Sequence, residues 1–599
     1  MVTFWNRICD GLKFQFKYTI YSLKRWPVII VLYFICICAL GILEPIEVFF
    51  QKEVITVVTD AFSPGDFYVA VIMYFLISVL FLFQSYASPI VQKIIGLKVA
   101  SWIVGKIYRT MQGVPMEQLD SASFQVKYDR ACEAVAHISS GPALLMYSLS
   151  YVITLVIPTI QLLRHPFLLI MYYVMGLLVA IHTTYQSQKA DELRKSIEID
   201  KRALRYYSEL IENKNVMIES RVHKYNGYFN KKWEELTEIF FQKQMQLKRH
   251  QVKGSLGVSI LYQLLAIVPT GMLYFLIVQQ KVDIATYTLV TGMGAVITRN
   301  IGYLFKAFSK SSNCGIYTDD IEEMLNFEPL CSESVRTVEN KPIVELRDVS
   351  FGYIENQSVL ENINFAINED EVVAIVGENG SGKSTLSSLI LGLYKPKTGR
   401  ILVYDQDVTD KHINLAGVAS PVFQDFSKYE FSIRENIGYG DINNITNDQK
   451  IMSAMLRGGF YGVYTSRSMT LDTYLGKQYE AAGEELSGGE WQRVAISRGI
   501  FGEAKLIVLD EPTAALDPLS EVKLFEEIKN SLKGRAAVIV SHRIGICQLA
   551  DRIVFMKNGK IVEEGTHKEL YSAKGNYYTF FNEQSKWYEW GDQSEVCET

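Results

Sequence analysis

Six stretches of this sequence are apolar over a length close to the ~20 residues of helix needed to cross a lipid bilayer. They run from about Trp26 to Phe50, Phe67 to Ile90, Pro142 to Leu163, Pro166 to Tyr185, Leu256 to Val278 and, more polar than the rest, Ile284 to Phe308. Hydrocarbon offers no partner to a backbone N–H or C=O, so runs of this length are expected to fold as helices. They crowd the first half of a chain of 599 residues, and from about Ile343 the pattern turns to short β-rich runs alternating with helices. The fold class expected is therefore multi-domain: an all-α polytopic transmembrane domain with six helices and long polar extensions, followed by an α/β domain.

Charge orients the runs. The segment after the second holds Lys93, Lys98, Lys106, Arg109, Lys127 and Arg130, and the one after the fourth holds Lys189, Arg194, Lys195, Lys201, Arg202 and Arg205. The remaining loops carry only Lys52, Arg164 and Lys281. Positive segments stay on the cytoplasmic side, which places the N-terminus and, after six crossings, the α/β domain there as well. Residues 1–25 place Arg7, Lys13, Lys17, Lys24 and Arg25 among aromatics, the pattern of a helix lying in the membrane interface rather than of a signal peptide. The two basic segments have helical periodicity and should continue the spans below the membrane. Turns are expected at Val114-Pro115-Met116-Glu117, followed by Leu119-Asp120, and around Asn213 to Asn230. Projections of that length need a surface to pack on, and the α/β domain is the one available. A net charge of −5 with no basic tract gives no indication of nucleic acid, and eight cysteines without C-x-x-C spacing indicate neither a zinc site nor a disulfide framework.

The α/β part carries the chemistry. Val372 to Val376 reads as a strand, and Gly377-Glu378-Asn379-Gly380-Ser381-Gly382-Lys383-Ser384-Thr385 follows, leading into a helix. Strand, glycine turn and helix is the context in which a backbone folds back so that its N–H groups cradle phosphates. Lys383 supplies a point charge for the β and γ oxygens, and Ser384 is placed to hold Mg²⁺. Leu506 to Leu509 reads as a buried strand ending in Asp510 and Glu511. Asp510 is placed to orient the metal through its water shell, and Glu511 to polarise an attacking water. The cofactors expected are thus ATP and Mg²⁺.

The order of these motifs with Val422-Phe423-Gln424-Asp425, Leu486-Ser487-Gly488-Gly489-Glu490, Ala515-Leu516-Asp517 and Ser541-His542 resembles the ATP-binding cassette (ABC) transporters, over essentially the whole chain. That resemblance implies a Walker A loop at Gly377 to Thr385 and a Q-loop at Gln424, which reaches the metal. It implies a signature at Leu486 to Glu490, whose Ser487, Gly488 and Gly489 amides face a γ-phosphate at a helix N-terminus. Asp510 becomes the Walker B aspartate, Glu511 the catalytic glutamate, Ala515 to Asp517 the D-loop and His542 the switch histidine. Tyr353 matches the aromatic that stacks on adenine. In this family the signature of one domain closes on the Walker A loop of another, so a chain with one copy of each must pair. Every catalytic position is intact, which favours a homodimer and leaves a heterodimer open. Two departures stand out: Glu490 replaces a commoner glutamine, and Glu480-Ala481-Ala482-Gly483 lacks the Gly-Glu-Arg-like sequence many exporters have there.

Spans fused ahead of the ATPase resemble the exporter type, and the run from Leu475 to Gln492 is most similar to transporters of lantibiotics and related bacterial peptides, as is Leu119 to Phe124. No room is left ahead of the first span for a leader-cleaving peptidase, so a peptide cargo would be matured elsewhere. The expected activity is ATP-driven export of a peptide across the cell membrane, a translocase activity. A lipid flippase or drug exporter on the same fold is the alternative; a soluble ATPase acting on nucleic acid is excluded by the spans. Glu44 and Glu47 near the outer end of the first span, and Arg299 and Asn300 in the sixth, are either structural or cargo-facing. The domain boundaries expected are an interfacial helix at 1–25, the transmembrane domain at 26–320, a linker at 321–342, the nucleotide-binding domain at 343–583 and an acidic tail at 584–599.

Overall fold

The structure is a computed structural model that describes residues 2–59, 64–139, 141–316, 318–326, 338, 340–354, 357–409, 415, 417–478, 480–512, 534–548 and 550–589. Contacts divide the chain into two compact units, one of residues 1–112 and 125–327 and one of 113–124 and 328–599.

The first unit is helical: α1 (Val2–Arg25), α2 (Pro27–Thr59), α3 (Pro64–Met111), and, beyond a short helix α4 (Met116–Leu119) that belongs to the second unit, α5 (Ala122–Ile138), α6 (Gly141–Leu162), α7 (Pro166–Glu212), α8 (Lys214–His223), α9 (Asn226–Val278), α10 (Ile284–Ile316) and α11 (Thr318–Asn326). Among the described residues, α2, α3, α6, α7 and α9 are long and apolar enough to cross a membrane, and α10, which holds the sixth expected span, falls outside that set. The reason lies in its position. α10 packs against α1, α2, α6 and α7, so much of it meets protein rather than lipid. Between helices, close approach through small residues does what apolar bulk does against lipid. A Cβ on Gly294 would stand 2.3 Å from the ring of Tyr172, and one on Gly292 2.5 Å from Cγ1 of Val48.

α7 and α9 have 47 and 53 residues. At 1.5 Å per residue each is roughly 70–80 Å long, more than twice the ~30 Å hydrocarbon thickness, as the polar extensions predict. Their polar ends are tied together: Lys243 pairs with Asp200 at 2.6 Å, and the Trp233 indole donates to Ser208 Oγ at 3.0 Å. Asn213 makes the expected turn, its side chain accepting from the N–H groups of Asn215 and Val216 to cap α8. The stretch expected to be a linker from 321 begins instead as helix α11. Its Ile321, Met324 and Leu325 are buried on one stripe, and Lys17–Glu322 and Lys127–Glu323 ion pairs of 2.8 and 2.6 Å fasten the opposite side.

The second unit is built on two sheets. Strands β1 (Val344–Phe351), β2 (Leu360–Ile367), β3 (Val372–Gly377), β4 (Thr398–Val403), β5 (Gln406–Asp407), β6 (Ala419–Val422), β7 (Leu506–Asp510), β8 (Ala536–Val540), β9 (Arg552–Lys557) and β10 (Lys560–Gly565) are joined by helices α12 (Lys383–Ile390), α13 (Ile433–Gly438), α14 (Asp448–Arg457), α15 (Tyr461–Ser466) and α16 (Gly488–Phe501), and followed by α17 (His567–Ala573) and α18 (Asn576–Glu589). The smaller sheet runs β2-β1-β4-β5 and is antiparallel; the larger runs β10-β9-β3-β8-β7-β6. In the larger sheet β9, β3, β8, β7 and β6 run parallel to one another, and β10 pairs antiparallel with β9 at the edge. Every residue of β7 and β8 is buried, as strands covered on both faces require. Residues 113–124 join this unit through hydrogen bonds: Tyr394 donates its hydroxyl to Asp120 at 2.6 Å, and the Lys395 N–H donates to Glu117 at 2.8 Å. They fall within the 26–320 expected for the transmembrane domain, yet they group with the second unit. The segment from 584, expected to be tail, is helical through Glu589 in α18.

Candidate functional site

In open parallel sheets, ligands bind beyond the carboxyl ends of the strands, and the expected residues lie there. The loop after β3 carries Gly377 to Gly382, Asp510 ends β7 and Glu511 follows it, Ser541 and His542 follow β8, and Gln424 follows β6. Strand register sets them side by side: Asp510 is opposite Val540, and the Ser541 N–H donates to Ile375 O at 3.1 Å.

The phosphate loop needs its glycines. Gly377 has φ +153° and a Cβ there would stand 2.2 Å from the Met556 carbonyl; Gly382, at φ +98°, would press Leu360 at 2.6 Å. Lys383, 6% exposed, turns back over the loop and donates to the Gly377 and Glu378 carbonyls at 3.0 and 2.9 Å. Glu378, Asn379 and Gly380 are exposed. Ser381 Oγ is buried without a hydrogen-bond partner, a polar atom in a loop whose expected ligand is rich in acceptors. Ser384 Oγ donates to Asp510 Oδ1 at 3.3 Å.

Asp510 is 7% exposed. Burial pushes its carboxyl above the usual range, helped by Glu511 and opposed by Ser384 and Lys383. Burial likewise lowers Lys383, against the pull of Glu511 and Asp510. Both shifts have one cause: charges removed from water and only partly paired, which favours binding of a partner that brings both phosphate and cation. Ser384, Asp510 and Gln424 offer hard oxygen donors of the kind Mg²⁺ takes, with phosphate and water completing the shell. Among the described residues no cluster of three His, Cys, Asp or Glu groups forms a self-contained metal site.

Glu511 is the meeting point. It has φ +47° and its N–H donates to the Val540 carbonyl at 2.9 Å. Its Oε2 accepts from Gln424 Nε2 at 3.0 Å and its Oε1 lies 3.0 Å from His542 Nδ1. Three groups separated by many residues in sequence therefore form one contact chain. Tyr353 is 55% exposed, edge-on to Tyr394 with centroids 5.4 Å apart, and its hydroxyl lies 3.3 Å from that of Thr385. Its hydroxyl thus lies beside the last residue of the phosphate loop, with Phe351 also packed at 85° to its ring.

Ser487 to Glu490 open α16. Ser487 accepts from the Glu490 N–H, and Glu490 accepts from the Ser487 N–H at 2.7 Å, forming a capping box. The unusual glutamate gains a second partner in Arg467, at 2.6 Å. Burial would raise its carboxyl, but Ser487 and Arg467 outweigh burial and hold it below the usual range. Ser487, Gly488 and Gly489 make no hydrogen bond to the phosphate loop among the described residues. Residues 480–483 form a tight turn in which the Gly483 N–H donates to the Glu480 carbonyl at 2.9 Å. The expected D-loop, Ala515 to Asp517, lies outside the described residues.

Residues 360–514 match the profile of the ABC transporter family. They are an ABC transporter domain. The ABC domain sits in a chain with the exporter fold: a structure described as a bacterial Atm1-family ABC exporter with ATP bound superposes with a TM-score of 0.78 over 94% of this chain and 98% of that one, at 19% identity. Similarity in sequence extends to the nisin transport ATP-binding protein NisT of Lactococcus lactis subsp. lactis, 29% identical over 395 residues, and to the subtilin transport ATP-binding protein SpaT of Bacillus subtilis, 30% over 362. These matches cover 61% and 59% of this chain, and the chain spans 62% and 58% of those relatives. An ATP-dependent lipid A-core flippase of Syntrophus aciditrophicus (strain SB) is 35% identical over 244 residues, 41% of this chain and 39% of the flippase.

Three contributors to the ABC domain escaped the sequence reading. Gln492 donates to the Glu511 carbonyl at 3.4 Å from the buried side of α16. Arg467 pairs with Glu490. Gln584 of α18 donates to the His542 carbonyl at 2.6 Å. Only Gln492 had a local signal, being a polar residue on the inward face of a helix.

Proposed function

We propose that this chain is one half of an ATP-driven exporter that pairs in the cytoplasmic membrane, hydrolyses ATP at two composite sites, and moves a modified peptide of lantibiotic type outward by alternating access. The observation that carries the reading is the contact chain Gln424–Glu511–His542 beside Asp510, Ser384 and Lys383, in a chain whose other unit is built of membrane-length helices.

Each residue has a task in that reaction. The loop amides and Lys383 hold the β and γ phosphates, Tyr353 packs on the adenine, and the signature of the second protomer completes the site. Asp510, Ser384 and Gln424 would hold Mg²⁺, which supplies charge neutralisation on the phosphate oxygens. Glu511 accepts the proton of the water that attacks the γ-phosphorus, as the bond from that phosphorus to the β–γ bridging oxygen breaks. His542 donates from Nδ1 to the Glu511 carboxylate and so holds it in place. Binding of two nucleotides closes the paired domains, and hydrolysis releases them, which shifts the helical units between inward-open and outward-open states. The α/β unit and the N-terminus face the cytoplasm.

The length of the peptide-transporter matches supports peptide cargo. A match over 61% of this chain is longer than the whole second unit, so it includes residues of the helical unit; the match to the lipid A-core flippase need not. Export of a lipid or hydrophobic drug is the competing reading. The test is the ATPase rate of the purified protein in lipid nanodiscs, titrated with processed peptides, lipids and hydrophobic drugs. Stimulation by peptide supports the proposal; stimulation by lipid or drug alone replaces it.

A further inference from the structure

Arg299 lies about 22 Å along α10 from Ile284, at 1.5 Å per residue, which is inside the length a bilayer covers. Half of its side chain is exposed, against 15% for Glu44 of α2, with which it pairs. Both oxygens of Glu44 are engaged, one by Arg299 and the other by Asn300 Nδ2 at 3.2 Å. Asn300 is itself buried and donates to the Val296 carbonyl at 2.9 Å. Glu47, one turn along α2, accepts from Ser78 of α3 at 2.8 Å. Both acids are thus committed. The guanidinium has five N–H donors, and Glu44 takes one of them.

A half-exposed guanidinium at membrane depth is costly in lipid, so such groups face water or protein. One turn on, Tyr303 is 46% exposed and leans on Tyr151 of α6 with ring centroids 5.5 Å apart. Lys306 and Lys310 continue the same stripe at helical spacing, and both are exposed. This face of α10 therefore presents donors, aromatic surface and an excess of positive charge. A pair needed only for packing would be expected to bury its cation together with its anion; here the anion is hidden and the cation is displayed.

The geometry points to a recognition site on α10 for an oxyanion carried by an amphipathic cargo, with Arg299 as the anion contact, Tyr303 as the apolar contact and Glu44 as the group that fixes Arg299. The inference rests on the exporter reading and narrows its cargo to a molecule with a carboxylate or phosphate beside an apolar face.

The test uses full-length protein in phosphatidylcholine nanodiscs. Binding of a fluorescein-labelled amphipathic peptide with glutamates on its polar face is followed by anisotropy, and ATP hydrolysis is measured separately on the same sample. The glutamate peptide should bind at least about tenfold tighter than its glutamine counterpart, and R299Q should erase that difference, as expected for loss of a hydrogen bond to a charged group. R299K should keep part of it. Y303A should weaken both peptides alike, a readout that does not depend on R299Q folding well. If phosphatidylglycerol added to the nanodiscs competes with the peptide in wild type but not in R299Q, the same site takes a lipid phosphate. Equal affinity for the two peptides, or a preference that survives R299Q in protein of normal monodispersity, overturns the site. Arg299-dependent binding without Glu511-dependent ATP hydrolysis keeps the site and removes the exporter reading; hydrolysis without such binding does the reverse.

Discussion

Oε1 of Glu511 lies 3.0 Å from Nδ1 of His542, and the two residues come from different strand ends, β7 and β8, which neighbour each other in the sheet. The contact sets a carboxylate beside an imidazole, the pairing that the proposed hydrolysis uses. Gln424 holds the second oxygen of the same carboxylate, so the orientation of Glu511 is fixed from two sides.

Replacing Glu511 by glutamine keeps the shape of the side chain and one acceptor for Gln424, and removes the carboxylate that the proposed mechanism uses as base. Glu511→Gln should lower the ATPase rate by about 10²–10⁴-fold, the usual scale for a general base, and leave ATP binding intact. Single-turnover hydrolysis and nucleotide binding measured on the same preparation check this; near-normal turnover would move the base elsewhere.

Lys383 is buried over the phosphate loop, and among the described residues its hydrogen bonds go to the Gly377 and Glu378 carbonyls; in the proposed site it exchanges them for phosphate oxygens. Lys383→Ala should weaken ATP binding roughly tenfold to a hundredfold, the equivalent of one charged hydrogen bond. Equilibrium binding of a fluorescent ATP analogue is the measurement, and wild-type affinity would count against the assignment.

Gln584 donates to the backbone carbonyl of His542, so in the proposed site it is a positioning residue. Gln584→Ala should reduce kcat by about twofold to tenfold, the worth of one neutral hydrogen bond, with KM for ATP unchanged. Gln584→Glu, which has no donor when ionised, should fall at least as far. Rates normalised to the active fraction by nucleotide-binding stoichiometry separate this from general destabilisation, which would leave the rate per active site unchanged.

Glu490 gives a pH dependence with a definite sign. Its folded-state carboxyl is held below the usual range by Ser487 and Arg467 despite burial. A depressed carboxyl contributes stability above its unfolded pKa, about 4.3, and loses it as the pH falls through the lower folded value. The gap in thermal midpoint between wild type and Glu490→Gln should therefore be open at neutral pH and close on acidification below about pH 4. A gap that widened in acid would reverse the assignment.

Much of this was readable along the chain, because the signals were local. The loop at Gly377 to Thr385 is contiguous and bounded by a strand and a helix, and the acids after Leu509 end a buried strand. In the structure that loop joins β3 to α12, and Asp510 ends β7. The sixth span was legible as a helix and its polarity was noted, but its central place was not, because that depends on which helices surround it. The start of the stretch read as linker proved helical for a similar reason: Ile321, Met324 and Leu325 form a stripe whose meaning lies in the helices it packs on. The glutamate at 490 is a departure from the family pattern; its bond to Ser487 is local, and its ion pair with Arg467, distant in sequence, is not.

The sequence by itself determined the phosphate loop, the two acids, the membrane-length helices and their order, since each follows from periodicity or composition over a few neighbouring residues. Tertiary structure decided which distant side chains meet: Gln424 and His542 on Glu511, Gln584 behind His542, Tyr394 on Asp120, and Glu44 under Arg299. The physical reason is that hydrogen bonds and ion pairs act over about 3 Å, and residues far apart in sequence come that close only when strands, helices and their packing have fixed them in space.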